Sequence, residues 1–238
     1  MRSMSARLAR ALMSATSALA LGAGSAHAQV ITNPPTPFTN SGTINGILFN
    51  DGAPHAGDVT NATSGTINFL APTAAIAIRS GSILNGNVVN NGAINGGVSG
   101  FGTVQFLDLT NGTLNGAAIN TGTINLTAGT TANDTAILFS ANGSNLTGGF
   151  RNNGTITEAG RTAMGPTYLF SMLGGVVNNG TMTFTGIGPS SNVGGITLVA
   201  NVGNFSGGVT NNGTINVTGD QGPITLTPIL GGPAAITT

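Results

Sequence analysis

The sequence contains no cysteine, no tryptophan and no lysine, and only 5% of its residues are charged. Without cysteine, no disulfide staples the fold. With six arginines and no lysine, the chain lacks the basic footprint that nucleic acid or an anionic membrane surface selects. An average soluble domain carries roughly 25% charged residues. Low charge does not mean low hydrophobicity here, because 39% of residues are apolar. That excludes the profile of a highly charged disordered tail. Such a chain must hide its backbone and apolar groups in regular structure.

What is abundant is glycine, 39 of 238 residues, and its placement is ordered. The N-terminus stands apart. Arg2, Arg7 and Arg10 precede an Ala/Leu-rich run from Ala11 to Leu21, and small residues follow to Ala26-His27-Ala28. A positive head, a short apolar middle and an A-x-A end predict a secretory signal peptide over residues 1–28, cut between Ala28 and Gln29. The apolar run is too short to span a membrane, and no later stretch is long enough. Cleavage leaves Arg79, Arg151 and Arg161 against six acidic residues, a formal charge of 3 − 6 = −3.

Residues 29–39, with Pro34, Pro35 and Pro37, read as an extended linker. Residues 40–226 form a repeat body and 227–238 a flexible tail. Within the body, related cassettes recur: SGTING at Ser41–Gly46, SGTINF at Ser64–Phe69, NGAING at Asn91–Gly96, NGTLNG at Asn111–Gly116 and TGTINL at Thr121–Leu126. Three NNGT cassettes follow, built on Asn152-Asn153-Gly154, Asn178-Asn179-Gly180 and Asn211-Asn212-Gly213. The cassette glycines lie at 42, 65, 92, 112, 122, 154, 180 and 213, so the gaps are 23, 27, 20, 10, 32, 26 and 33 residues. Most of these gaps suit a repeat architecture, with loops of variable length between constant elements.

After each glycine the pattern alternates with period two, as in Thr181-Met182-Thr183-Phe184-Thr185. That is a strand with one buried face. Ile156, Met182, Phe184, Ile215 and Val217 point inward, and the threonines and asparagines point outward. Asn-Asn-Gly in front reads as a corner, since both residue types tolerate positive φ. Asn-Gly is also a hairpin signal, which keeps an antiparallel sandwich or barrel as the alternative. Recurrence at 20 or more residues favours one coil of a right-handed parallel β-helix. Eight or nine coils at ~4.8 Å each would make a rod about 40 Å long. Asparagines at equivalent corners would then stack as amide ladders.

The signal peptide, the cysteine-free Gly/Asn/Thr-rich body and the repeated NNGTI cassettes resemble passenger domains of Gram-negative autotransporters and filamentous-haemagglutinin-type surface proteins. The resemblance covers about residues 40–220. It implies export, a β-helical rod, a secreted, periplasmic or cell-surface location, and adhesion or self-association. Its partners would be a host or sibling cell surface, a glycan, or an outer-membrane barrel supplied in trans. The family's usual terminal barrel is not legible in GPITLTPILGGPAAITT.

Few residues offer chemistry. Asp51-Gly-Ala-Pro-His55-Ala-Gly-Asp58 is the one cluster of His and carboxylates after the signal segment, with Ser64 nearby. It lacks a third fixed ligand, and its Gly/Pro content reads as a solvated loop. Arg151, Glu158 and Arg161 flank one cassette as exposed ion-pair formers. Gly186–Ser191 resembles a phosphate loop only faintly, having no lysine. The expectation is a non-enzyme with no cofactor and no metal. A β-helical polysaccharide lyase or hydrolase is the alternative, and binding of ice or another ordered surface through threonine columns a lesser one.

Overall fold

The computed structural model describes residues 29–98, 102–129, 135–140, 144–160, 162–164, 171–187, 192–194, 196–200, 206–219, 224–228 and 236–237. The signal-peptide expectation for residues 1–28, including Ala28, lies outside them. The described chain is an all-β parallel solenoid, with no helix among the described residues.

Each turn of the chain visits four sides. One turn runs Ile83–Asn85, Val88–Asn90, Ala93–Gly97 and Thr103–Asp108. The next runs Thr113–Leu114, Ala118–Asn120, Thr123–Thr127 and Thr135–Ser140, each strand beside its counterpart. We number these sides one to four in that order. Five consecutive turns, starting at Pro54, Ile83, Thr113, Asn145 and Ser171, place one strand on every side. Counterpart strands also stack beyond those turns, giving sheets of five, eight, seven and seven strands on sides one to four. All pairings are parallel and in register, so one sequence position repeats as a column along the axis.

Alternation explains the columns. On side three, Ile44, Ile67, Ile94, Ile124, Ile156 and Met182 align one above another and are buried. Ile215 continues the column and is partly buried, as is Val217 beside Phe184. Leu84, Leu114, Leu146 and Met172 form the inner column of side one. Phe106 packs tilted on Phe139, and Phe139 edge to face on Phe150, with ring centroids 5.9 and 4.9 Å apart.

Several boundaries differ from the sequence reading. Residues 29–39 are not only a linker: Val30–Thr32 pairs with Gly46–Phe49, and Phe38–Asn40 pairs with Val59–Asn61. The first turn goes from side four to side two without a side-one strand, and Pro34, Pro35 and Pro37 lie in that connection. The tail too contains paired backbone, since Ile236–Thr237 stacks on Val209–Asn211. The long gaps after Gly160 and Gly186 hold the side-four strands Thr162–Met164 and Asn192–Gly194. The cassette at Gly112 belongs to side one, whereas the other cassette glycines precede side three. Removing it merges the gaps of 20 and 10 into a single 30-residue turn. Much of the apparent raggedness was therefore two corners counted as one.

The cassette glycines also act differently from the corner reading. Positive φ occurs instead at the Gly-Gly corners before side two, at Gly149 (72°), Gly175 (69°) and Gly208 (68°). Gly154 is not at positive φ. A Cβ there would run into the carbonyl oxygen of Gly122 in the turn below, and one at Gly180 into that of Gly154. Glycine is required for close approach of stacked backbones, not for a left-handed turn.

Candidate functional site

The most continuous polar feature is an amide ladder inside the wall between sides two and three. Asn40, Asn61, Asn90, Asn120, Asn152, Asn178 and Asn211 close their side-two strands in register. Each Nδ2 donates to the Oδ1 of the next asparagine at 2.8 Å, six links in a row. The second proton of Nδ2 is directed at backbone carbonyls; for Asn120 these are Gly122 at 3.3 Å and Thr155 at 3.4 Å. Buried amides carry a penalty unless every donor finds an acceptor, and here repetition supplies one at each level.

The sequence-predicted corner residues divide into two roles. Asn152, Asn178 and Asn211 belong to the inner ladder. Asn153, Asn179 and Asn212 project outward and form a second, exposed ladder, with links of 2.8 and 3.0 Å. Gly154, Gly180 and Gly213 provide the close approach already described. Sequence reasoning missed Asn40, Asn61, Asn90 and Asn120. The available signal was an asparagine two residues before the cassette glycine in every side-three cassette except one. The exception is Asn61-Ala62-Thr63-Ser64-Gly65, where two extra residues separate the pair and Asn61 still reaches the Gly65 carbonyl at 3.2 Å.

The outward surface of side three carries two regular polar columns, beside a mixed one that includes the exposed Leu70. Its first column runs from Thr43 to Thr214 and is threonine at every level except Ala93. The second column is Asn68, Asn95, Asn125, Thr157, Thr183 and Asn216. Asn95 donates to Asn68 at 2.9 Å and Asn125 to Asn95 at 3.1 Å, which fixes these side chains. No outward position of the described side-three strands carries a charge.

Of the candidate chemical cluster, Asp51 and His55 meet and the others do not. His55 Nε2 lies 3.0 Å from Asp51 Oδ1. The His55 ring occupies the inner column of side one, above Leu84, and packs on Phe49 with ring centroids 4.6 Å apart. It therefore caps the end of an apolar column, and it is not part of a solvated loop. The same Asp51 oxygen accepts the Ala53 N–H at 3.0 Å and the Ser82 hydroxyl at 3.2 Å. These contacts, led by the Ala53 N–H and then His55, hold the Asp51 carboxyl below its ordinary range. Ser82 thus donates to the carboxylate and not to the imidazole, so no Ser–His pair is formed. Asp58 is diverted to Asn87, accepting its N–H at 2.7 Å, and Ser64 donates to the Ser41 carbonyl.

Arg79 pairs with the buried Asp108 carboxylate, its Nε at 2.6 Å, and Thr110 fills the other oxygen. Arg151 is exposed on side two. Glu158 is not the exposed partner expected from sequence: it is buried in the inner side-three column, in register with Leu126 and Phe184. Arg161 and residues 188–191 lie outside the described residues. Among the described residues, no group of three or more His, Cys, Asp or Glu converges on a metal-sized site. No helix among them is long and apolar enough to cross a membrane.

No family model matches the chain, and neither the curated proteins nor the solved structures compared with it provide a match.

Proposed function

We propose that this chain is an exported, non-catalytic β-helical rod that acts through its surface in adhesion or self-association. In this reading it is a right-handed solenoid of eight or nine coils, of the autotransporter and filamentous-haemagglutinin passenger type. The observation that carries it is the side-three face: a column of threonines broken only at Ala93, beside a second column of six amides and hydroxyls, all in register. Such a face offers many weak, identical hydrogen-bonding positions on one rigid body, which suits avid contact with another surface. The Asp51–His55–Ser82 contact supports the same reading, because its hydrogen bonds are spent on capping an apolar column.

Export follows in this proposal from residues 1–28, removed after Ala28 so that the mature chain starts at Gln29. It would reside at the surface or in the periplasm of a Gram-negative cell, or be secreted. A barrel acting in trans, a neighbouring cell or a glycan would be its partner.

The test is a surface-binding and aggregation assay run beside a polysaccharide-cleavage screen. Binding or aggregation without turnover, unchanged in an Asp51→Asn/His55→Gln variant, is the expected result. Glycan cleavage that disappears in that variant would overturn the proposal in favour of a β-helical lyase or hydrolase. N-terminal sequencing of exported material should give Gln29 first.

A further inference from the structure

We infer that the outward face of side three is an ice-binding face, a reading that goes beyond adhesion and does not depend on it. Three observations converge. First, the face repeats in two dimensions. Parallel strands set successive members of a column ~4.8 Å apart along the axis, and neighbouring columns, two residues apart on one strand, lie ~6.6 Å apart. The axial repeat is close to the shorter oxygen repeat on a prism face of ice, and the column spacing falls a little below the longer one.

Second, the side chains are fixed. Threonine is stiff at χ1, with one hydroxyl and one methyl on the same carbon. Thr155, Thr181 and Thr214 share the first column with Thr157 and Thr183 beside them. The Asn68–Asn95–Asn125 links hold the amides of the same face. A surface ordered before binding loses little entropy when it meets an ordered ligand.

Third, the chemistry suits water better than other ligands. No charge lies on the outward positions, so ions, nucleic acid and anionic polymers have no attraction to it. No aromatic ring lies there either, so a sugar has nothing to stack on. Any other polar ligand must displace water from each hydroxyl for almost no net gain. When the ligand is water itself, that competition vanishes, and the sum of many small matches decides.

The experiment uses the mature chain and three substitution sets. Recrystallisation inhibition and thermal hysteresis are read for wild type, for Thr157→Lys/Thr183→Lys on side three, and for Thr39→Lys/Thr60→Lys on side two. Both Lys sets add two charges to outward positions, and circular dichroism verifies that each is folded. If the side-three pair fails to fold, Thr157→Val/Thr183→Val replaces it. Wild type and the side-two pair should inhibit recrystallisation, and the side-three pair should need at least about tenfold more protein, as expected when matched positions on one rigid array are lost. Absence of activity in wild type would overturn the inference. Equal activity in the two Lys pairs would also overturn it, since the active surface would then lie elsewhere. Binding to an insoluble neutral glycan at room temperature, without ice activity, would assign the face to a polysaccharide instead. Adhesion is measured in liquid and ice activity in frozen solution, so either proposal can fail while the other stands.

Discussion

Asn120 donates its side-chain amide to Asn152 at 2.8 Å, across 32 residues of sequence and inside the wall of the solenoid. Both residues are fully buried. Neither could be tolerated there alone, because a buried amide without partners costs about 1–3 kcal/mol per unsatisfied group. The stack solves this by making every asparagine the partner of the next.

Removing one rung should therefore cost more than one hydrogen bond. Asn120→Ala takes from the Asn90 amide its 2.8 Å side-chain acceptor and from the Asn152 carbonyl its side-chain donor, leaving the latter only the Gly154 N–H at 3.3 Å. The expected loss is about 2–4 kcal/mol, read as a lower urea midpoint. Asn153→Ala, on the exposed ladder one residue away, should stay within about 0.5 kcal/mol of wild type. Equal losses at the two positions would contradict the inner ladder.

Gly154 separates close packing from turn strain. Its absent Cβ makes room for the Gly122 carbonyl below. Gly154→Ala and Gly154→Asn should both destabilise, by about 1–3 kcal/mol each, as overpacked sites do. Asparagine tolerates positive φ, so a turn-strain account would have it nearly neutral. Thermal unfolding of the two variants decides between them.

The register of side three can be checked with one charge at two neighbouring positions. Ile156 is fully buried in the isoleucine column, while Thr157 points outward and is half-buried. Ile156→Asp should unfold the chain or cost several kcal/mol, since it buries an unpaired carboxylate. Thr157→Asp should be mild. Comparable damage from both would mean the strand is out of register by one residue.

Asp51 gives a pH signature. Its carboxyl sits below the ordinary range because the Ala53 N–H, His55 and Ser82 all favour the charged form. A depressed folded value adds stability above the unfolded carboxylate range, and that stability is lost as pH falls through the folded value. The difference in melting temperature between wild type and Asp51→Asn should be present near neutral pH and fade below about pH 4. A difference that grows on acidification would contradict the hydrogen-bond pattern.

How much of this was legible in the sequence depends on which physical rule each residue obeys. The Ile156–Met182–Ile215 column followed from period-two alternation, which survives whatever the strand pairs with. The same alternation places Glu158 on the side of Ile156. Its charge argued for solvent, and the alternation prevailed. The inner asparagines were hidden because Asn-Asn-Gly also spells a turn, and only stacking distinguishes the inward residue from the outward one. Asp51 and Ser82 meet across 31 residues, which no local pattern encodes. Gly112 looked like its neighbours, yet it opens a different side, because each corner of a solenoid favours the same small residues.

The parallel, in-register stack underlies both the ladder and the side-three face, and the absence of native cysteine makes it directly testable. Thr155 and Thr181 are outward neighbours in adjacent turns, 26 residues apart. Parallel neighbours lie ~4.8 Å apart, within the Cα range a disulfide requires. Under mild oxidation, Thr155→Cys/Thr181→Cys should close one intramolecular disulfide, seen as a loss of two free thiols by mass. Thr155→Cys/Thr185→Cys, displaced four residues along the strand, should remain reduced. A bridge in the displaced pair, or none in the in-register pair while the protein is folded, would contradict the parallel solenoid.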